Sequence, residues 1–181
     1  MTPVKAKSKK KGILLAAALC LLSAPSSAQA ESSWLHEMRV GVLAHDTDIN
    51  LWGAVPSEHG VDINAELVFT PEQEMLGGAL RPNFGASLNS CGDTSHIYGG
   101  GVWEYEWKNG VFFDTAVGLS ANSETGKNLG SAILLRLALE AGYNLNPCNR
   151  VSLMMDHISN ANTADPNPGI DNIGIRFGHK F

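Results

Sequence analysis

Apolar and polar residues alternate with a period of two along most of this chain. From Ile173 the odd positions read Ile, Ile, Phe, His, Phe, and the even ones Gly174, Arg176, Gly178, Lys180. Such alternation puts one set on each face of a β-strand. Eight strand-like runs bounded by turn residues follow this rule: Met38–Ala44, Val61–Thr70, Leu80–Asn89, His96–Trp107, Val111–Ser120, Ala132–Leu145, Val151–Ser159 and Asn172–Phe181. In the second, Val61, Ile63, Ala65, Leu67 and Phe69 share a face opposite Asp62, Asn64 and Glu66. In the sixth, Ile133, Leu135, Leu137 and Leu139 oppose Arg136 and Glu140.

Alternation alone does not separate a soluble sandwich from a membrane barrel, which turns its apolar face to lipid and its charges to the lumen. The N-terminal segment, the terminal Phe181 and the even strand count together favour the barrel. Lys5, Lys7, Lys9, Lys10 and Lys11 precede an apolar run, Gly12 to Ala24, and then Ala28-Gln29-Ala30. This is the layout of a cleaved secretory signal over residues 1–30, leaving 31–181 as one domain. A strand ending on a C-terminal aromatic, Phe181, fits the same compartment. The expected fold is therefore all-β: an eight-stranded antiparallel transmembrane β-barrel of the bacterial outer membrane. Eight strands enclose room for side chains and no pore. Arg39, Arg81, Arg136 and Arg176 are expected to pair inside with Glu66, Glu104, Glu106, Asp114 and Glu140. Long links at Asp46–Gly60 and Asn160–Asp171 belong outside. The short links 108–110 and 146–149 belong in the periplasm, as does the longer Pro71–Ala79. Trp103, Tyr105 and Trp107 read as an interfacial girdle at the periplasmic end.

The chain has 13 basic and 18 acidic residues, net −5. Removing the five signal lysines would take the net charge to −10, which argues against nucleic acid as a partner. Cys91 and Cys148 fall at opposite ends of the expected barrel, about 25 Å apart across the apolar band. Disulfide geometry needs Cα atoms within about 7 Å, so both are expected to be free. No metal-ligand spacing occurs, and no cofactor is expected. His45, His59, His96 and His179 are scattered and read as loop or rim residues.

Chemistry concentrates in Asp156-His157-Ile158-Ser159-Asn160-Ala161-Asn162 and in the strand that follows. His157 and Ser159 share a face, and by parity it is the lipid-facing one. Asp171 has the parity of Ile173, Ile175 and Phe177, so it projects from the same surface across the hairpin. The three types form a nucleophile, base and orienting acid. Asn160, Asn167 or backbone N–H groups of the loop are candidates to bind an oxyanion; Asn167-Pro168-Gly169 is also a turn cluster in its own right.

His-x-Ser-Asn-Ala, an Asn-Pro-Gly turn, an acid fourteen residues after the histidine and an alternating strand ending in Phe resemble the PagL family of lipid A 3-O-deacylases. The likeness is dense from Ser152 to Phe181. It is looser over Ala86–Asn89, Gly92–Ser95 and Leu129–Glu140. It implies an eight-stranded barrel in the outer membrane with a catalytic triad on its outer surface, matched here by His157, Ser159 and Asp171. The acid is Asp where well-known members carry Glu, one methylene longer. The implied activity is hydrolysis of the 3-O ester-linked acyl chain of lipid A. The implied partners are lipopolysaccharide in the outer leaflet and the surrounding lipids, with a homodimer left open. The alternative is a non-catalytic barrel acting as adhesin, ligand binder or membrane stabiliser. A third possibility is a dormant enzyme in which Asp171 does not reach His157.

Overall fold

The computed structural model describes residues 34–49 and 52–181. The expected signal segment 1–30 lies outside the described residues. The strands are β1 (Leu35–Ala44), β2 (Val61–Phe69), β3 (Gln73–Met75), β4 (Gly78–Asn89), β5 (His96–Glu106), β6 (Val111–Asn122), β7 (Ile133–Asn144), β8 (Asn149–Ser159) and β9 (Ile170–Lys180). All pairings are antiparallel. Sequential neighbours pair from β4 to β9, β9 pairs with β1, β1 with β2, and β2 closes the ring on β4. The barrel thus has eight strands. The three-residue β3 continues the line of β2 beyond Thr70 and pairs with the start of β4, within the long Pro71–Ala79 link.

The period-two pattern divides lipid from lumen as the sequence implies. Val42, Ile63, Phe84, Leu88, Ile97, Val117, Leu119, Leu153 and Ile175 are exposed on the outside. Arg39, Glu66, Asp114, Arg136, Glu140 and Arg176 are buried within. A charge in a barrel wall escapes hydrocarbon only by turning inward, where it needs a partner. Arg39 meets Glu37 at 2.9 Å, Asp114 at 2.9 Å and Glu140 at 3.1 Å. Arg176 binds Glu66 and Glu140, and Arg136 binds Asp156 at 2.8 Å. The void among these groups is about 10 Å³, room for a single water at most. The barrel is plugged.

The internal set departs from expectation in two places. Arg81 pairs with Glu72, and Glu106 pairs with Lys180, both at the periplasmic rim. Their places inside are taken by Arg150 and Glu37, joined at 2.5 Å. Both lie just outside the expected strand limits, because β1 starts at Leu35 and β8 at Asn149. His96, expected at a rim, is buried in the lumen, 5.8 Å from the Tyr98 ring and 4.0 Å from Asp156.

Trp103, Tyr105 and Trp107 follow one another on the outer face, the first pair stacked with ring centroids 6.2 Å apart and the second meeting edge to face at 4.8 Å. The Trp103 indole N–H donates to the Met75 carbonyl at 2.7 Å, which ties the β3 hairpin to this girdle. Cys91 and Cys148 are free thiols in connections at opposite ends.

Candidate active site

The site is built on the β8–β9 hairpin at the loop-rich end. Ile158 and Ile170 face each other across the ladder and point inward, packed with Leu129 and Leu134. Their burial fixes the register, and a one-residue slip would reverse every side chain. His157 and Asp171, one step further down the ladder, are directly opposed and point outward. Behind them Asp156 takes a hydrogen bond from Asn172 Nδ2 at 3.0 Å, which ties β8 to β9 from the lumen side, and one from Arg136 Nε at 2.8 Å, which ties β8 to β7.

His157 Nδ1 lies 2.7 Å from Asp171 Oδ1, and Nε2 lies 2.9 Å from Ser159 Oγ. The three expected residues therefore converge, and the shorter Asp spans the hairpin without a gap. With Nδ1–H donating to the carboxylate, Nε2 is left as an acceptor for the serine proton.

The surroundings differ from a bare lipid-facing stripe. Asp171 is 0% exposed, His157 7% and Ser159 8%. The cover comes from two loops. In the 160–169 loop, Ala161 and Asn162 both have positive φ, at 53° and 61°, which turns the chain sharply after Ser159. Asn160 Nδ2 donates to the carbonyls of Leu129, Ala164 and Pro166, and its backbone N–H donates to Asn167 Oδ1 at 2.9 Å. Both amide hydrogens of Asn160 are thus engaged in holding the loop. Asn167 Nδ2 donates to Asn162 Oδ1 at 3.0 Å. An amide nitrogen carries two hydrogens, so Asn167 has a second donor to offer.

The other cover is the loop between β1 and β2. Thr47 donates its N–H at 2.6 Å and its hydroxyl at 3.1 Å to the Asp171 carbonyl. The Val55 N–H donates to the Pro168 carbonyl at 2.9 Å. The Trp52 ring sits 5.5 Å from the imidazole of His157, tilted by 37°. Nothing in the local sequence marks Thr47 or Trp52, because their place depends on β1 closing the ring against β9. The loop is held in turn by a polar clasp. Lys127 Nζ binds Asp46 at 2.7 Å and the Val55 carbonyl at 2.9 Å. Glu58 accepts from Thr94 Oγ1 at 2.9 Å and contacts His45 Nε2 at 2.8 Å. Burial opposes a charge on His45, but the Asp62 and Glu58 carboxylates beside its two ring nitrogens outweigh it and raise its pKa from 6.5 to about 9.

The class is thus a plugged eight-stranded membrane barrel carrying a Ser-His-Asp constellation on the outward side of its wall. The family model described as lipid A 3-O-deacylase (PagL) matches residues 51–180, and the chain belongs to that family. A curated relative, the lipid A deacylase PagL of Bordetella bronchiseptica, is 31% identical over 111 residues. That alignment covers 56% of this chain and 62% of the relative, less than two thirds of its length. Among solved structures, the outer membrane enzyme PagL matches with a TM-score of 0.63 at 19% identity, covering 80% of this chain and 99% of that one. A de novo designed transmembrane β-barrel matches at 0.52 and 14% identity, covering 84% and 100%. At such identities the shared property is the fold.

Proposed function

We propose that this protein is a lipid A 3-O-deacylase of the bacterial outer membrane, acting by a serine mechanism. The observation that carries the reading is the imidazole of His157, joined to Asp171 on one side and Ser159 on the other. It stands on the outward side of the wall, at the end of the barrel with the long loops. A purely structural barrel gains nothing from burying these three groups together there. Family membership supplies the bond: the ester at position 3 of the lipid A sugar.

In this mechanism Ser159 Oγ attacks the ester carbonyl while His157 Nε2 takes its proton. Asp171 holds the Nδ1–H tautomer and stabilises the imidazolium that forms. Asn167 Nδ2 or a backbone N–H of the 160–169 loop stabilises the oxyanion, while Asn160 organises that loop. Collapse breaks the bond from the acyl carbon to the sugar oxygen, which takes the proton from His157 and leaves as the sugar alcohol. Water then cleaves the acyl-enzyme, and the acid is released. The substrate reaches the site from the outer leaflet. No second subunit is needed for these steps, and a homodimer remains compatible with them.

The test is active-site labelling of the purified barrel with a fluorophosphonate, alongside hydrolysis of lipid A in mixed micelles. The expected result is an adduct on Ser159 that both Ser159→Ala and His157→Ala lose together with hydrolysis. Full hydrolysis by a folded Ser159→Ala barrel would reject the serine mechanism.

A further inference from the structure

Two hydrogen bonds hold the imidazole of His157 along its own plane, one to Asp171 and one to Ser159. They resist rotation out of that plane less strongly, because hydrogen bonds weaken only gradually until the angle is well off linear. A ring packed beside the imidazole would supply the missing constraint, and the Trp52 ring lies there, its centroid 5.5 Å from that of His157. A cation held over an aromatic face within about 6 Å of the ring centre is attracted to it; the two planes here are nearer parallel than perpendicular, at 37°, and in the reading proposed below this pairing strengthens when His157 takes the proton from Ser159. An interaction that is stronger in the transition state than in the ground state acts on kcat.

The placement of Trp52 does not rest on the stiffness of its loop alone. Thr47 on one side of it is bound to the Asp171 carbonyl, and Val55 on the other is bound to both Pro168 and Lys127. The loop is therefore tied to the same hairpin that carries the triad.

We propose that Trp52 is a positioning residue for the reaction: its indole keeps the His157 imidazole in the orientation that links Asp171 to Ser159. It acts through the His157 imidazole, by way of the ring pairing. The inference rests on the deacylase reading above. The competing role for a tryptophan at headgroup level is to anchor the barrel in the interface. An anchor would change capture of the lipid substrate and so KM, whereas a positioning residue changes kcat.

The test is steady-state hydrolysis of lipid A in mixed micelles by purified wild type, Trp52→Ala, Trp52→Phe, Trp52→Leu and Ser159→Ala barrels. Folding of each is checked by its heat-dependent shift in gel migration. Trp52→Ala is expected to lose about tenfold in kcat, equivalent to about 1.4 kcal/mol, with KM within about twofold of wild type. Trp52→Phe should recover most of the loss, and Trp52→Leu, which fills space without a π face, should not. If Trp52→Ala fails to fold, the contrast between Phe and Leu decides. An unchanged kcat, a change confined to KM, or equal rates for Phe and Leu would overturn the inference. Hydrolysis by wild type that Ser159→Ala abolishes, with Trp52 variants at full kcat, would overturn this inference alone. Absence of serine-dependent hydrolysis in wild type would remove the deacylase reading and this inference with it.

Discussion

Replacing Asp171 by Asn changes one atom and tests the core of the mechanism. The carboxylate is fully buried, with Oδ1 2.7 Å from His157 Nδ1. Its Oδ2 has no hydrogen-bond partner among the described residues. An asparagine there has two orientations. With its NH₂ toward Nδ1, it makes Nδ1 an acceptor and puts the ring proton on Nε2, 2.9 Å from Ser159 Oγ. That histidine cannot accept the serine proton. With its oxygen toward Nδ1 the tautomer is correct, but the NH₂ then occupies the unpartnered Oδ2 position. Burying a donor unsatisfied costs about 1–3 kcal/mol, and the negative charge that stabilises imidazolium is absent. Neither orientation restores the wild-type site. The corresponding change in the Ser-His-Asp template lowers kcat by about 10⁴, which is about 5.5 kcal/mol. The expected loss here is about 10³ to 10⁴ in kcat with little change in KM. The backbone carbonyl of Asp171 still receives Thr47, so the loop stays in place. The assay is release of acyl chain from lipid A by the purified barrel, with gel migration confirming the fold. A kcat within about threefold of wild type would refute the assignment of Asp171 as the orienting acid.

Three further outcomes follow from the same structure. Glu140→Leu removes the shared partner of Arg39, Arg176 and Ser152; leaving buried arginines short of a partner should cost about 3–5 kcal/mol, read as a lower midpoint of urea unfolding. An unchanged midpoint would mean the lumen charges are not interlocked. Gly169→Ala adds a Cβ 2.8 Å from His157 Cε1 at a φ of +61°, strain of about 1–3 kcal/mol that should displace the imidazole and lower kcat in a folded barrel. Wild-type kcat in that variant would show that the 160–169 loop does not hold the ring. Because the folded pKa of His45 is raised from 6.5 to about 9, its stabilisation of the outer loops is complete below about 6.5 and is lost as pH rises through about 9. Limited proteolysis of those loops should therefore increase above that pH in wild type and show no such step in His45→Gln; the same step in both would assign it to another group.

The barrel was legible in the chain because lipid and lumen impose opposite solvents on alternate residues. That contrast wrote the period-two pattern into β2, β7 and β9 and fixed which face carries Arg136, Glu140 and Arg176. Glu37 and Arg150 were missed because they sit one residue beyond the last clear alternation, at the end of the lumen where the apolar signal of the outer face fades. His96 was misread for a related reason. A lone polar residue at a strand start looks like a rim residue until the ring closes around it. The convergence of His157, Ser159 and Asp171 could be read because it needs only strand parity and one hairpin register. The cover by Thr47 and Trp52 could not, since it arises from pairing β1 with β9, separated by most of the chain. The fate of Asn160 was likewise hidden: its amide is consumed by carbonyls from two different loops, one of them contributed by Leu129.

The most direct test of the central claim is mass spectrometry of lipid A from Gram-negative cells expressing wild type or Ser159→Ala. Both proteins must be shown to be folded in the outer membrane. The account predicts loss of the acyl chain ester-linked at position 3 in the wild-type cells alone. Identical lipid A in the two strains would contradict it.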